Sequence, residues 1–493
     1  MEPIQLNHRN LGQIASRIPC PTYDRQELKL GIVHIGVGGF HRSHQAYYIH
    51  QLLERHGATE WGICGVGLRE ADRNIADVFA KQDCLYTLIT QHPDGTEETE
   101  VIGSLKEFLL AVDDPDRVID RMAHPATKIV SLTITEGGYN FNSVSEAFDF
   151  GNPDIQHELQ HPTEPRTVFG YLTAALRKRR DAGLPPFTLL SCDNIQHNGD
   201  MARKMVLAFA QKQDPELAEW IEEKVRFPNT MVDRITPVTK SRDIEQLKNN
   251  HGVIDEWPVV CEPYLQWVVE DKFSGDRPPL EKVGVQFVPD VAPYERMKIR
   301  LLNAGHSVLG ILSAIHGHPT IDACMGDPVF AAFTREFMDR EVTPVLGTVE
   351  GVDIEQYKDS LEERFANPNI KDSVGRICSE SSAKLPKFLI PTIRENLAAD
   401  GSIEFATLVL AAWCYYSDKQ VNENGEPLEI IDAMQAELKE AAQDTPANSL
   451  AFLQQPAIFG NLTNDKRFTQ EYERMVRTIY RGGQIRQLMS DLL

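Results

Sequence analysis

The sequence contains no C-x-x-C pair, no apolar run long enough to cross a bilayer and no excess of positive charge. Each absence removes a class of function. Its eight cysteines, Cys20, Cys64, Cys84, Cys192, Cys261, Cys324, Cys378 and Cys414, are scattered, so the usual closed zinc site is not signalled. Several lie in apolar runs such as Ile63-Cys64-Gly65-Val66, where a thiol behaves as a small core residue, and a reducing compartment fits. No stretch approaches the ~20 apolar residues of a membrane span. The balance of 50 Lys and Arg against 72 Asp and Glu leaves a formal charge of −22, which repels nucleic acid and anionic membranes. The opening Met1-Glu-Pro-Ile-Gln-Leu-Asn-His8 has neither the basic nor the apolar region of a signal peptide, so a cytoplasmic location is expected. There is no internal repeat and no low-complexity tract.

What is present is 493 residues of ordinary globular composition, 42% hydrophobic and 25% charged. That length suggests two domains or three. The first half alternates short apolar runs with helical stretches, the pattern of an α/β sheet with parallel strands. The runs are 28–37, 61–68, 128–135 and 187–192. A helix is expected from Arg42 to His56, stopped by Gly57. Cys84–Thr90 and Thr99–Ile102 flank His92-Pro-Asp-Gly95 and read as a hairpin. Asn152–Pro165 is polar and proline-rich and reads as a surface loop. Beyond Lys298 the chain turns to long amphipathic stretches, 327–340, 405–416 and 430–442. The prolines at 289 and 293 punctuate the switch. The expected domains are 1–290, dinucleotide-binding with insertions, and 291–493, mainly helical.

Gly36-Val-Gly38-Gly39-Phe40-His41 follows the first apolar run and opens a helix. Closely spaced glycines permit a tight turn and let backbone approach a pyrophosphate at a helix start. The third glycine of the G-x-G-x-x-G pattern is replaced by His41, with Gly39 displaced. An acidic residue after the second strand should hold the adenosine ribose, and Glu70 or Asp72 could serve, favouring NAD. Arg69 and Arg73 keep NADP open, since arginine accommodates a 2′-phosphate.

Lys298-Ile-Arg-Leu-Leu-Asn303-Ala-Gly-His306 places an amine, an amide and an imidazole in a largely apolar segment. On an α-helix, with Lys298 at zero, Glu295, His306 and Asn303 fall at roughly 60°, 80° and 140°. One sector then holds a base, a hydrogen-bond donor and an imidazole, the groups that proton abstraction from a hydroxyl requires. Ile299 and Leu302 share it. Two other motifs match cheaply. His157-Glu158-Leu-Gln-His161 fits the zinc-protease H-E-x-x-H pattern but is followed at once by Pro162 in polar flanks. Tyr294-x-x-x-Lys298 fits a short-chain dehydrogenase pair, and so does Tyr415-x-x-x-Lys419.

The landmarks together resemble the polyol-specific long-chain dehydrogenases. They are His34-Ile-Gly-Val-Gly-Gly-Phe-His-Arg-Ser-His44, Ile63-Cys-Gly-Val-Gly-Leu68, Ser131-Leu-Thr-Ile-Thr-Glu-Gly-Gly-Tyr139, Ser191-Cys-Asp-Asn194, Met231-Val-Asp-Arg-Ile-Thr-Pro237, Trp257-Pro-Val-Val-Cys-Glu-Pro263, Met297–His306 and Lys384-Leu-Pro-Lys-Phe388. The resemblance implies a Rossmann-type N-terminal domain, a mainly α-helical C-terminal domain, NAD(H) with NADP(H) the lesser choice, and no metal. It implies Lys298 as general base in oxidation and general acid in reduction. An unperturbed lysine titrates near ~10.4, so its surroundings must lower that value for work near neutrality. Asn194 and Asn303 would donate to the developing alkoxide, and His306 would bind a substrate hydroxyl. Asp233, Arg376 and Lys384 match positions near the substrate. Ile35, Gly36, Gly38, Gly39 and Phe40 match the cofactor turn, and Asp72 the residue bearing on NAD preference. The implied activity interconverts D-mannitol and D-fructose by hydride transfer at C2. The partner is a small polyol or keto sugar, without nucleic acid or membrane, and a monomer is compatible. The mannitol-oxidising members often read Asn-Gly-Ser-His where this chain has Asn303-Ala-Gly-His306. A hexuronate reductase of the mannonate oxidoreductase kind or an arabinitol dehydrogenase is the alternative within the family. A zinc hydrolase using His157 and His161, or a nucleotide-binding protein without turnover, is the alternative outside it.

Overall fold

A computed structural model describes residues 2–142 and 145–493. The chain divides into two compact units, Met1–Gln91 with Thr96–Ala292, and His92–Gly95 with Pro293–Leu493.

The first unit is built on a five-stranded sheet. Its strands are Ile32–Ile35, Ile63–Gly67, Leu105–Leu110, Ile129–Leu132 and Thr188–Ser191. All neighbours pair in parallel, and the order across the sheet is third, second, first, fourth, fifth. That is the doubly wound order, with its switch point beside the first strand. The strands read as continuous apolar runs because both faces are covered. Val33, Ile35, Val130, Leu132 and Leu189 face one core with helices Val168–Asp181 and Asn198–Gln213. Ile32, Ile63, Leu105, Ile129 and Leu190 face the other, with helix Gln45–His56. The hairpin is present, with Tyr86–Gln91 antiparallel to Glu97–Ile102 and Gly95 at φ 88° in the turn. Strand Thr230–Asp233 pairs antiparallel with Gln266–Glu270.

Two local expectations are corrected. The helix after the glycine turn starts at Gly39, not Arg42, and breaks at His44 (φ −116°, ψ −88°) before resuming as Gln45–His56. Gly57 ends it at φ 61°. Within 152–165, Pro153–Gln160 is a helix rather than loop. Asn152 caps it by accepting from Asp154 N at 3.0 Å, with Pro153 at the first helical position.

The second unit is helical, and the buried helices Ala304–His316 and Glu404–Lys419 pack together within it. The expected 327–340 helix runs as Pro328–Phe337 and then widens into a π segment, Met338–Val342. The stretch expected from 430 becomes helical only at Gln435. Asp432 is held instead by Ser382, accepting from its N–H at 2.9 Å and its hydroxyl at 2.5 Å. No helix among the described residues is long and apolar enough to cross a membrane.

Candidate active site

The glycine turn is shaped by what surrounds it. Gly36 has φ +95°, and a Cβ there would meet the Thr133 carbonyl oxygen at 2.1 Å, so no other residue fits. Gly38 faces open space, with a Cβ meeting nothing nearer than Gly36 O at 4.0 Å. The turn is braced from behind. Thr133 Oγ1 donates to Gly36 O at 2.7 Å. His34 Nε2 lies 2.9 Å from the same hydroxyl, and its Nδ1 2.8 Å from Ser131 Oγ. Because Thr133 spends its proton on Gly36, Nε2 must be the donor and Nδ1 the acceptor. Burial pushes His34 down to about 3, so this ring is neutral, and His41 stacks on it at 3.4 Å. Burial likewise drives His41 down.

Asp72 follows the second strand. Its Oδ2 accepts from Arg69 N at 3.0 Å, and its Cβ lies where a side chain on Gly67 would sit, 2.6 Å away. Arg73 is bound by Glu70 at 2.9 Å and Asp113 at 2.8 Å. These features fit a dinucleotide: an open glycine turn, the unpaired N–H groups of a first helical turn and a carboxylate beyond the second strand.

Asn194 is exposed, three residues past Ser191 at the carboxyl end of the last strand, where such sheets bind ligands. Asp193 anchors this end. It accepts from Thr135 N at 2.8 Å, Ile134 N at 3.2 Å and Tyr139 Oη at 2.7 Å. Burial raises its carboxyl above the usual range despite these donors. Thr133, Asp193 and Tyr139 were not singled out from sequence. The available signal was polar side chains just past the carboxyl ends of apolar strands. Asp233 is buried at the end of its own strand. The adjacent Arg234 donates to Glu262 O at 2.9 Å and Ser43 O at 2.6 Å.

In the second unit the Lys298 segment departs from a regular α-helix. Ala292–Lys298 and Ala304–His316 are α, but Ile299–Asn303 is π, with Ala304 N bonded to Ile299 O. One extra residue in a turn removes about 100° of net rotation. His306 therefore swings from roughly 80° to within about 20° of Lys298, and Asn303 to about 40°. The π turn draws the three groups into a narrower column than an α-helix gives. Lys298 and His306 are 6% and 9% exposed and so shielded from bulk water, while Asn303 is half-buried. Glu295 is also buried.

The rest of the segment is locked. Arg300 donates to Thr392 Oγ1 at 2.7 Å and Glu395 at 3.1 Å, and Arg296 to Glu395 at 2.8 Å. Phe365 packs on the His306 ring at 4.3 Å. Gly305 leaves room for that contact, since a Cβ there would meet Met338 Cε at 2.9 Å and Phe365 Cε2 at 3.3 Å.

Helix Val374–Cys378 crosses Ala304–His316 at Gly310, where a Cβ would meet Ile377 Cγ2 at 2.7 Å. Arg376 on that helix is exposed and paired with Asp372, Nε to Oδ1 at 2.6 Å. Lys384 donates to Ile377 O at 3.1 Å. Burial, then the Arg376 charge, lowers its amine.

The H-E-x-x-H segment is differently employed. His161 lies past the helix end, and buried Glu158 accepts from Arg166 N and Thr167 N, both at 2.5 Å. That carboxylate ties down Arg166 and Thr167, the two residues that lead into helix Val168–Asp181.

Models of the mannitol dehydrogenase Rossmann domain and the mannitol dehydrogenase C-terminal domain match residues 30–282 and 290–480. The chain belongs to the mannitol dehydrogenase family. Mannitol 2-dehydrogenases of Aspergillus fumigatus (strain Af293) and Aspergillus oryzae are 46% and 44% identical to it, over 98% and 99% of each chain. Among solved structures, the Pseudomonas fluorescens mannitol 2-dehydrogenase ternary complex with NAD and D-mannitol is 46% identical. It matches over 99% of both chains, with TM-score 0.87. A substrate-free D-sorbitol dehydrogenase is 37% identical, with TM-score 0.92 over 99% of this chain and 100% of its own. For this mannitol dehydrogenase family member, the Rossmann-type first unit and helical second unit expected from sequence are those observed.

Proposed function

We propose that this chain is an NAD-dependent dehydrogenase interconverting D-mannitol and D-fructose, with Lys298 as its proton-transfer group. The observation that carries the reading is the column of buried Lys298, half-buried Asn303 and buried His306 on the π-containing segment. It lies in a chain 46% identical along its length to an enzyme solved with NAD and D-mannitol.

Nicotinamide dinucleotide held at the Gly36–Phe40 turn, with Ile35 leading into it, supplies the hydride acceptor for oxidation and the donor for reduction. In oxidation the neutral Lys298 Nζ takes the proton of the C2 hydroxyl as hydride leaves C2, and the C–O bond becomes a carbonyl. In reduction the Lys298 ammonium returns that proton to the developing alkoxide. Asn303 and Asn194 act as amide donors to that oxygen, aimed at charge present mainly in the transition state. His306 hydrogen-bonds a neighbouring hydroxyl and is held in orientation by Phe365. Asp233, Arg376 and Lys384 bind the remaining hydroxyls. This chemistry asks nothing of a metal. Asp72 accepts the ribose hydroxyls, and Arg73, neutralised by Glu70 and Asp113, is poorly placed to favour a 2′-phosphate. NAD is therefore the preferred form.

The test is a spectrophotometric panel of D-mannitol, D-sorbitol, D-arabinitol, D-fructose and fructuronate with both cofactors. The reading expects the highest kcat/KM with D-mannitol and D-fructose and with NAD(H). Preference for fructuronate, for D-sorbitol or for NADP(H) would overturn the corresponding part of it.

A further inference from the structure

At the far end of the helix that carries Lys298 stands a second cluster of ligating side chains. Helix Ala304–His316 ends at Gly317, whose φ of +106° reverses the chain. His318 then bonds back, N–H to Ser313 O at 3.1 Å. The reversal lays the His318 ring beside that of His316, centroids 4.9 Å apart, with Phe330 5.4 and 5.1 Å from the two rings. Asp327, which begins helix Pro328–Phe337, completes the group. One ring nitrogen of each histidine and one Asp327 oxygen all lie within 4.8 Å of one another, the one such trio among the described residues.

Three observations point to a ligand. His318 Nε2 is buried and has no hydrogen-bond partner, an expensive arrangement for a ring nitrogen. His316 Nδ1 lies 3.0 Å from the Glu423 carboxylate. In the neutral ring Nδ1 must donate there, which leaves the Nε2 lone pair for coordination. A carboxylate fixing the tautomer of a ligating histidine is the usual outer layer of a metal site. Finally, a cation already sits on the third ligand. Arg486 of the C-terminal helix Ile485–Leu492 contacts both Asp327 oxygens, at 2.7 and 3.1 Å.

We propose that His316, His318 and Asp327 form a non-catalytic site for a divalent transition-metal ion such as zinc, occupied by exchange with the Arg486 guanidinium. Two imidazoles and a carboxylate suit zinc, with water as fourth ligand at distances near ~2.0–2.2 Å. The trio must contract to reach it, and Asp327 must release Arg486. Glu423 also accepts from Ile485 N at 2.7 Å, so ion and C-terminal helix share two carboxylates. The site lies 18 residues beyond Lys298 along the sequence, on the order of 27 Å at ~1.5 Å per residue. It is separate from the proton-transfer chemistry.

The experiment is zinc titration of the intact protein against a chromogenic chelator, for wild type and four variants. His318→Ala should weaken the tightest site at least about tenfold, and Glu423→Gln should weaken it about 10–100-fold. Arg486→Gln should tighten it about tenfold or more by removing the competing cation. A His157→Ala/His161→Ala double variant should bind as wild type does. The Arg486→Gln arm leaves every ligand in place, so it decides the question even if His318→Ala folds poorly. Wild-type affinity in Arg486→Gln, or loss of zinc with the His157/His161 pair, would overturn the proposal.

Discussion

Thr133 donates its hydroxyl to the carbonyl of Gly36 at 2.7 Å, while its own carbonyl fills the space a Gly36 side chain would need. The two contacts fix the glycine turn against the fourth strand. Gly36→Ala would force a Cβ to within 2.1 Å of backbone oxygen at φ +95°. We expect a loss of stability of about 1–3 kcal/mol and NADH affinity at least about tenfold weaker, read by thermal unfolding and NADH fluorescence titration. Wild-type NADH binding would separate this turn from the cofactor.

The proposed reading gives Asp72 the preference for NAD. Asp72→Ser removes the carboxylate that repels a 2′-phosphate, and at this half-buried position in the turn Glu70–Asp72, beyond the second strand, it keeps the Cβ that lies against Gly67. The NADP-to-NAD ratio of kcat/KM should rise by about tenfold or more, equivalent to ~1.4 kcal/mol of discrimination. An unchanged ratio would place the discrimination elsewhere, with Glu70 the next residue to test.

The two amides should affect turnover more than binding. Asn303→Ala and Asn194→Ala are each expected to lower kcat by about 10²-fold, the usual cost of one oxyanion donor, with NADH affinity unchanged. A rise in KM alone would mean that the amides bind ground-state substrate rather than the alkoxide.

Glu341 gives the second unit a pH dependence. Its buried carboxylate accepts from Phe405 N at 2.8 Å and Ala406 N at 2.9 Å, at the start of helix Glu404–Lys419. Burial pushes it up to about 7 from an ordinary 4.5, more than those donors hold it down. The native state thus binds this proton more tightly than the unfolded chain. The associated stability is full below pH ~4.5 and is lost as pH rises through about 7, a change of about 3 kcal/mol. In urea unfolding, wild type should gain on Glu341→Gln by that order between pH 8 and pH 5. An equal difference at both pH values would contradict the assignment.

Much of this was legible in the sequence because the signals are local. The apolar runs around Ile32, Ile63, Ile129 and Thr188 became strands, the His92-Pro-Asp-Gly95 turn closed its hairpin, and Gly57 ended its helix. What escaped depends on partners far along the chain. The π turn at Ile299–Asn303 sits in a segment pinned by Thr392 and Glu395, and α-helical spacing alone spread the column too widely. Asp432 holds Ser382, which delays a helix that its own periodicity started earlier. The braces Thr133 and Asp193 are inconspicuous until the parallel sheet sets their loops side by side. Within the candidate site, the Asn303-Ala-Gly-His306 departure finds a packing reason: Gly305 admits Phe365 and Met338.

The measurement that bears most directly on the proposed chemistry is the pH profile of fructose reduction by Lys298→Ala. Loss of the proton donor should lower kcat by about 10²–10⁴-fold, with NADH affinity retained and the group titrating in the wild-type profile gone. Turnover within a few-fold of wild type across that range would contradict the role assigned to Lys298.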